Sequence, residues 1–261
     1  MSEPEIVRYE RRGPAAWLVL SRPEKRNALS LEMIQQLGHG LDRALADDTV
    51  RAVVLTGEGR AFCAGADLKA GPGWSGSRGQ GTARHPFADL LQRLQAASKP
   101  VLAAVNGATF GGGLGLVAAA DIAFAAATAK FSFSEVRIGL IPAMISVVVL
   151  PKIGPHHARR LFLTGRRFTA EEACAYGLIH QVTSPEALDE AIRSEVSEIA
   201  HGGPTAVREA KRLIHTLQTL DTDEAFDRAA HWLAELARTE EAREGMAAFA
   251  EKRPPSWAPK P

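Results

Sequence analysis

The chain has little from which to build several common kinds of site. It has only two cysteines, Cys63 and Cys174, in 261 residues. Two thiols cannot form a disulfide framework, and their spacing fits no zinc pattern. They are expected to be reduced and packed as small apolar side chains. Charge of one sign is not in excess: the formal net charge is +1. That gives no electrostatic reason to expect nucleic acid or an anionic membrane as partner. No apolar run approaches the ~20 residues that cross a bilayer. Leu114 to Ala120 is ended by Asp121, and Ile122 to Ala127 gives way to Thr128 and Lys130. The start, Met-Ser-Glu-Pro-Glu, lacks the basic and apolar parts of a signal peptide, so a cytoplasmic protein is expected. No set of ligands suggests a metal site, and no fixed-period repeat is evident.

What is present is an ordinary globular composition, 46% hydrophobic and 23% charged, in a chain long enough to bury a sizeable core. Short apolar runs alternate with helix-like stretches. Strands are expected at Ala16–Leu20, Arg51–Thr56, Pro100–Val105 and Asp121–Ala125. Between the first two, Met33, Leu37 and Leu41 recur at helical spacing, and Ser30 is placed to cap their helix. This alternation indicates an α/β core. The segment from Ala70 to Pro86 is rich in Gly, Ser and Arg and reads as a surface loop bordering a site. From about Gly203 the pattern is helical. Val207, Ala210, Leu213, Ile214, Leu217 and Leu220 make one apolar stripe; Phe226, Ala229, Ala230, Leu233 and Leu236 make another. Each needs a surface to cover, on this core or on another subunit.

Three segments could carry chemistry. Ala61 to Lys69 follows a strand, and its small residues would let a ligand approach the backbone. Lys69 could meet a phosphate there. Asn106 to Leu116 contains Gly111-Gly112-Gly113 at a helix start, where unpaired N–H groups favour negative charge. It is neither a dinucleotide fingerprint nor a P-loop. Phe131 to Pro142 sets Glu135 among apolar residues, where burial would raise its pKa and suit it to proton transfer. The alternative for Glu135 is a surface carboxylate paired with Arg137. His156 and His157 read as a solvated helix start. His85 lies in the loop within possible reach of a substrate, and Cys63 has no assigned role.

In this order, these blocks resemble the enoyl-CoA hydratase/isomerase (crotonase) family. The resemblance runs from Arg22-Pro23-Glu24-Lys25-Arg26-Asn27-Ala28-Leu29 to the tail Glu241–Arg253. It implies a spiral of ββα units over residues 1–200, with the acyl-CoA site, and a helical trimerisation region over 201–261. A homotrimer or homohexamer is expected. The resemblance also implies an oxyanion hole from the N–H groups of Ala66 and Gly112, with Glu135 as catalytic acid or base. Arg26, Ala28, Arg60, Leu68 and Lys69 would bind coenzyme A, joined by Phe249 and Lys252, possibly from a neighbouring subunit. Coenzyme A would be part of the substrate, with no separate cofactor and no metal.

Typical two-carboxylate hydratases carry a Glu two residues after the third glycine of the triplet. Here that position is Gly115. Hydration ranks first among the reactions, because the Gly-Gly-Gly-Leu-Gly-Leu and Ser-Glu-Val-Arg-Ile-Gly blocks resemble hydratases of branched, methylglutaconyl-like CoA esters. Isomerisation or decarboxylation through Glu135 alone is the alternative. A Clp-like serine hydrolase lacks its Gly-x-Ser-x-Gly elbow in this sequence. A non-catalytic CoA-binding protein is the remaining reading, prompted by Gly115.

Overall fold

A computed structural model of the chain describes residues 5–68 and 85–259. Along the chain run β1 (Val7–Arg12), β2 (Ala15–Leu20), α1 (Leu31–Ala46), β3 (Ala52–Gly57), β4 (Ala61–Cys63), α2 (Pro86–Ala96), β5 (Val101–Val105), β6 (Ala108–Phe110) and α3 (Gly112–Ala119). They are followed by β7 (Ile122–Ala126), β8 (Lys130–Ser132), α4 (Ala143–Thr164), β9 (Phe168–Thr169), α5 (Ala170–Ala175), β10 (Gln181–Thr183), α6 (Leu188–His201), α7 (Pro204–Leu217), α8 (Thr222–Leu236) and α9 (Glu240–Ala250).

Successive strands go to different sheets. One sheet has the order β1-β2-β3-β5-β7-β10, and the other β4-β6-β8-β9. The pairings of β2 with β3, β3 with β5 and β5 with β7 are parallel, as are β4 with β6 and β6 with β8. Each turn of the chain therefore lays one strand in each sheet and then a helix. This is the expected spiral of ββα units.

The larger sheet is buried on both faces, which is why its strands read as continuous apolar runs. All six residues of β2 are buried. Ala16, Leu18 and Leu20 face the core shared with α1, α2 and α3. Ala15, Trp17 and Val19 face the other way, where Leu188, Ile192 and Val196 of α6 cover them. The α1 boundary is set by Ser30, whose side chain accepts the Met33 N–H at 3.2 Å. His156 and His157 do follow a helix restart, but inside α4: Gly154, at φ +66°, breaks the helix just before them. The His157 ring stacks on Tyr176 at 4.4 Å between centroids.

The C-terminal stripes are only partly covered. No residue of α7 is fully buried, and α8 buries Trp232 rather than the expected stripe. Phe226 and Leu233 are exposed. Trp232 is buried, and its indole N–H donates to Glu209 Oε2 at 3.2 Å.

Candidate active site

Three pieces of backbone converge where β4, β6 and β8 end. The first is the stretch after β4. Its Gly65 has φ +90°, and a Cβ there would lie 2.9 Å from the Phe110 carbonyl and 3.5 Å from Gly111 Cα. Only glycine allows this stretch to lie against the start of α3. Leu29 and Ala66 form a parallel bridge. In it the Leu29 N–H donates to the Gly65 carbonyl at 2.7 Å, and the Asp67 N–H donates to the Leu29 carbonyl at 2.9 Å. The bridge thus uses the groups flanking Ala66 and turns the Ala66 N–H away from Leu29.

The second piece is the first turn of α3. Gly111 is the N-cap at φ +48°, and its N–H donates to the Ser132 carbonyl at 3.1 Å. Gly112 is the first helical residue, whose N–H has no partner inside the helix. Among the described residues, neither the Ala66 nor the Gly112 N–H meets a protein acceptor.

The third piece is a short 3₁₀ turn, Ser134–Ile138, that follows β8. It carries Glu135, whose carbonyl accepts the Leu140 N–H at 3.0 Å. The side chain points back at the helix start: Oε1 is 3.3 Å from where a Cβ on Gly111 would sit. Oε2 is buried and has no hydrogen-bond partner. Burial pushes the Glu135 carboxyl above the usual carboxylate range, and a backbone hydrogen bond offsets only part of this. The alternative pairing with Arg137 does not form. That guanidinium donates instead to the carbonyls of Gly165, at 2.9 Å, and Thr164, at 3.3 Å.

Ala66, Gly112 and Glu135 line one cavity of about 150 Å³, together with Leu68. The other expected ligand-binding residues are not in its lining. Arg26 and Ala28 belong to the adjoining frame; the Arg26 carbonyl accepts the Ala64 N–H at 2.9 Å. The Arg60 side chain is exposed, and its carbonyl accepts the Ala108 N–H at 3.4 Å. Phe249 stands 87% exposed near the end of α9, and Lys252 follows it with φ +55°. Neither lines the cavity within one chain. Lys69 lies outside the described residues, as does most of the expected loop. Of that loop, His85 is described: its Nδ1 accepts the Phe87 N–H at 3.2 Å and caps α2. Cys63 is buried, which pushes its thiol up to about 12 and leaves it protonated and unreactive at neutral pH.

Several residues that fix this site were not evident from the sequence pattern. Asn27 is fully buried in a left-handed conformation, φ +56°. Its amide donates to the carbonyls of Glu58 and Ala61, at 3.0 and 2.8 Å, and its oxygen accepts the Arg22 N–H at 2.9 Å. Arg22 reaches across to Asp67 at 3.2 Å, in a pair only 12% and 8% exposed. The strongest available signal was the Asn at positive φ, a conformation that Asn tolerates better than most residues. Removing one partner of a buried pair strands the other charge. Asp67→Ala is therefore expected to cost about 3–5 kcal/mol in a urea unfolding titration.

The position two residues past the glycine triplet is filled from outside. A Cβ on Gly115 would lie 2.5 Å from Ile145 Cγ2 and 3.4 Å from Phe87 Cζ. An apolar wall stands where a second carboxylate would reach. Gly115→Ala should accordingly destabilise the fold by about 1–3 kcal/mol through overpacking, despite the better helix propensity of alanine. A thermal melt giving no loss would mean that Ile145 yields freely.

Among the described residues, no group of His, Cys, Asp and Glu is arranged to hold a metal ion. No described helix is long and apolar enough to cross a membrane. What the cavity offers is two residues whose main-chain N–H groups have no described protein acceptor, beside a carboxyl that burial disfavours as the anion.

Comparison with known proteins identifies the family. The profile of the family described as Enoyl-CoA hydratase/isomerase matches residues 12–260. Enoyl-CoA hydratase EchA19 of Mycobacterium tuberculosis is 38% identical, covering 98% of this chain and 97% of its own. Carnitinyl-CoA dehydratase of Salmonella arizonae is 36% identical, over 97% of this chain and 98% of its own. The crystal structure of an enoyl-CoA hydratase from Shewanella pealeana superposes with a TM-score of 0.90 at 33% identity, covering 97% of this chain and 96% of that one. With nearly full-length matches in sequence and in fold, the chain belongs to the enoyl-CoA hydratase/isomerase family.

Proposed function

We propose that the protein is an enoyl-CoA hydratase that works with a single carboxylate. One observation carries this reading: two acceptor-free amides and a half-buried Glu135, whose buried Oε2 has no partner, share one cavity. The thioester oxygen of a 2-enoyl-CoA sits against the N–H groups of Ala66 and Gly112. Glu135 takes a proton from water as the water oxygen bonds to C3. The electron pair of the double bond moves onto the thioester oxygen, and the two amides stabilise that enolate. The same carboxyl then returns its proton to C2. No metal enters these steps, and coenzyme A arrives as part of the substrate.

Arg26, Ala28, Arg60, Leu68 and Lys69 are proposed to hold the coenzyme A portion, with Phe249 and Lys252 supplied by a neighbouring subunit of a homotrimer or homohexamer. The exposure of Phe226, Leu233, Met246 and Phe249 supports such an assembly. A cytoplasmic location fits the same reading, as does the trimerisation role for residues 201–261.

Incubating the protein with crotonyl-CoA and with 3-methylcrotonyl-CoA, and following loss of the conjugated thioester absorbance, tests the activity. Gly115 favours one second reading, double-bond isomerisation, for which one carboxylate suffices. Turnover of 3-enoyl-CoA with no hydration of either 2-enoyl ester would select it.

A further inference from the structure

We propose that Ile145 determines which acyl groups this enzyme accepts, restricting them to short apolar chains with no charge at the far end, in contrast to the carboxylated, methylglutaconyl-like esters that the sequence blocks suggested. The inference rests on the reading that the cavity takes the acyl part of a CoA thioester. Gly112 and Gly115 are three residues apart on α3 and share a face. A Cβ on either would come close to Phe87 Cζ, at 3.5 and 3.4 Å. The wall beyond the oxyanion hole is therefore not built by α3 itself. It is built by Phe87 of α2 and Ile145 of α4, which are 0% and 3% exposed.

Ile145 has the central place in this wall. Its Cγ2 sits 2.5 Å from the point where a side chain on residue 115 would begin. The absence of a side chain at 115 is thus matched by a branched apolar side chain at 145. Met144, Leu140 and Pro142 continue the lining with apolar atoms.

Charge reinforces the restriction. Among the described residues lining the cavity, Glu135 is the only charged one. A carboxylate on the far end of an acyl group would enter beside this half-buried acid and an apolar wall, with no cation among the described lining residues to pair with. Burying an unpaired charge is strongly unfavourable. The volume agrees with a short chain, since a cavity of about 150 Å³ accommodates an apolar ligand of roughly benzene size.

Saturated thioesters bind without reacting, so they test this independently of turnover. Isothermal titration of the full chain with isovaleryl-CoA and 3-methylglutaryl-CoA compares two branched chains that differ in a terminal carboxylate. Isovaleryl-CoA is expected to bind about tenfold more tightly or better. Equal binding, or tighter binding of the carboxylated ester, overturns the charge restriction.

Butyryl-CoA and octanoyl-CoA then test Ile145. In Ile145→Ala the preference for butyryl over octanoyl should shift toward the longer chain by about tenfold, the scale at which methylenes are discriminated in apolar pockets. Ile145→Val, which removes one carbon and is the safer variant for folding, should shift it the same way by a smaller factor. An unchanged ratio in a folded variant overturns the role of Ile145. If these preferences hold but no enoyl-CoA is hydrated, the hydratase reading fails and the specificity assignment stands. If no acyl-CoA binds at all, both fail.

Discussion

Glu135→Gln should lower kcat for hydration by about 10²- to 10⁴-fold, the usual contribution of a positioned acid–base group. It should leave the affinity for a saturated acyl-CoA nearly unchanged. The substitution keeps the shape of the side chain and removes its ability to exchange a proton. If Glu135 acts first as a base, as proposed, the wild-type rate should rise with pH as its carboxyl ionises. Burial raises that pKa, so the rising limb should lie above the ordinary carboxylate range.

The same shift has a consequence for stability with a definite sign. A carboxyl whose pKa is higher in the folded state holds its proton longer there than in the unfolded chain. Between the unfolded and folded pKa values the native state binds more protons, so stability falls as pH rises through that window. Glu135→Gln abolishes this dependence. The variant should melt higher than wild type at neutral pH, and the gain should shrink below the unfolded carboxylate pKa. A variant that is inactive and also less stable at pH 7 would show that the carboxylate is not paying for its burial. Unimpaired hydration would remove Glu135 from the mechanism altogether.

The second large effect is expected at Gly112. Proline has no N–H, and the first position of a helix is the one place where that loss costs the helix nothing. Gly112→Pro therefore deletes a candidate oxyanion donor with little harm to α3. Losing one such donor costs about 3–4 kcal/mol of transition-state stabilisation, or about 10²- to 10³-fold in kcat. Gly112→Ala is the control. It adds the same Cβ, 2.9 Å from the flexible Leu29 Cδ1, but keeps the N–H. A kcat that falls equally in both variants would assign the effect to crowding against Leu29 and not to the hydrogen bond.

The parts of this protein that were legible in the sequence share a physical character: each depends on residues close together in the chain. Strand β2 was visible as Ala-Ala-Trp-Leu-Val-Leu because both faces of its sheet are buried. The start of α1 was visible because Ser30 and Met33 are one turn apart. The helix start at Gly112 was visible because the glycine triplet opens an apolar, alanine-rich run just after a strand. The role of Glu135 was suggested by its apolar neighbours, but only burial of Oε2 and the diversion of Arg137 to Gly165 separate an acid–base group from a surface ion pair. Trp232 shows the opposite outcome. Helical periodicity gave Phe226 and Leu233 as a stripe needing cover from this core or another subunit, and within the single chain they are exposed while Trp232 is buried, its indole N–H donating to Glu209.

By itself the sequence determined the α/β alternation, the family, and the fact that position 115 cannot supply an acid. Those follow from residue identity and local spacing. Tertiary structure alone decided that Arg22 and Asp67, far apart in the chain, lock the Ala66 segment beside Leu29. It also decided that Ile145 fills the space over Gly115. The reason is that a glycine specifies only an absence. What occupies the space it leaves depends on which distant element the fold packs against it.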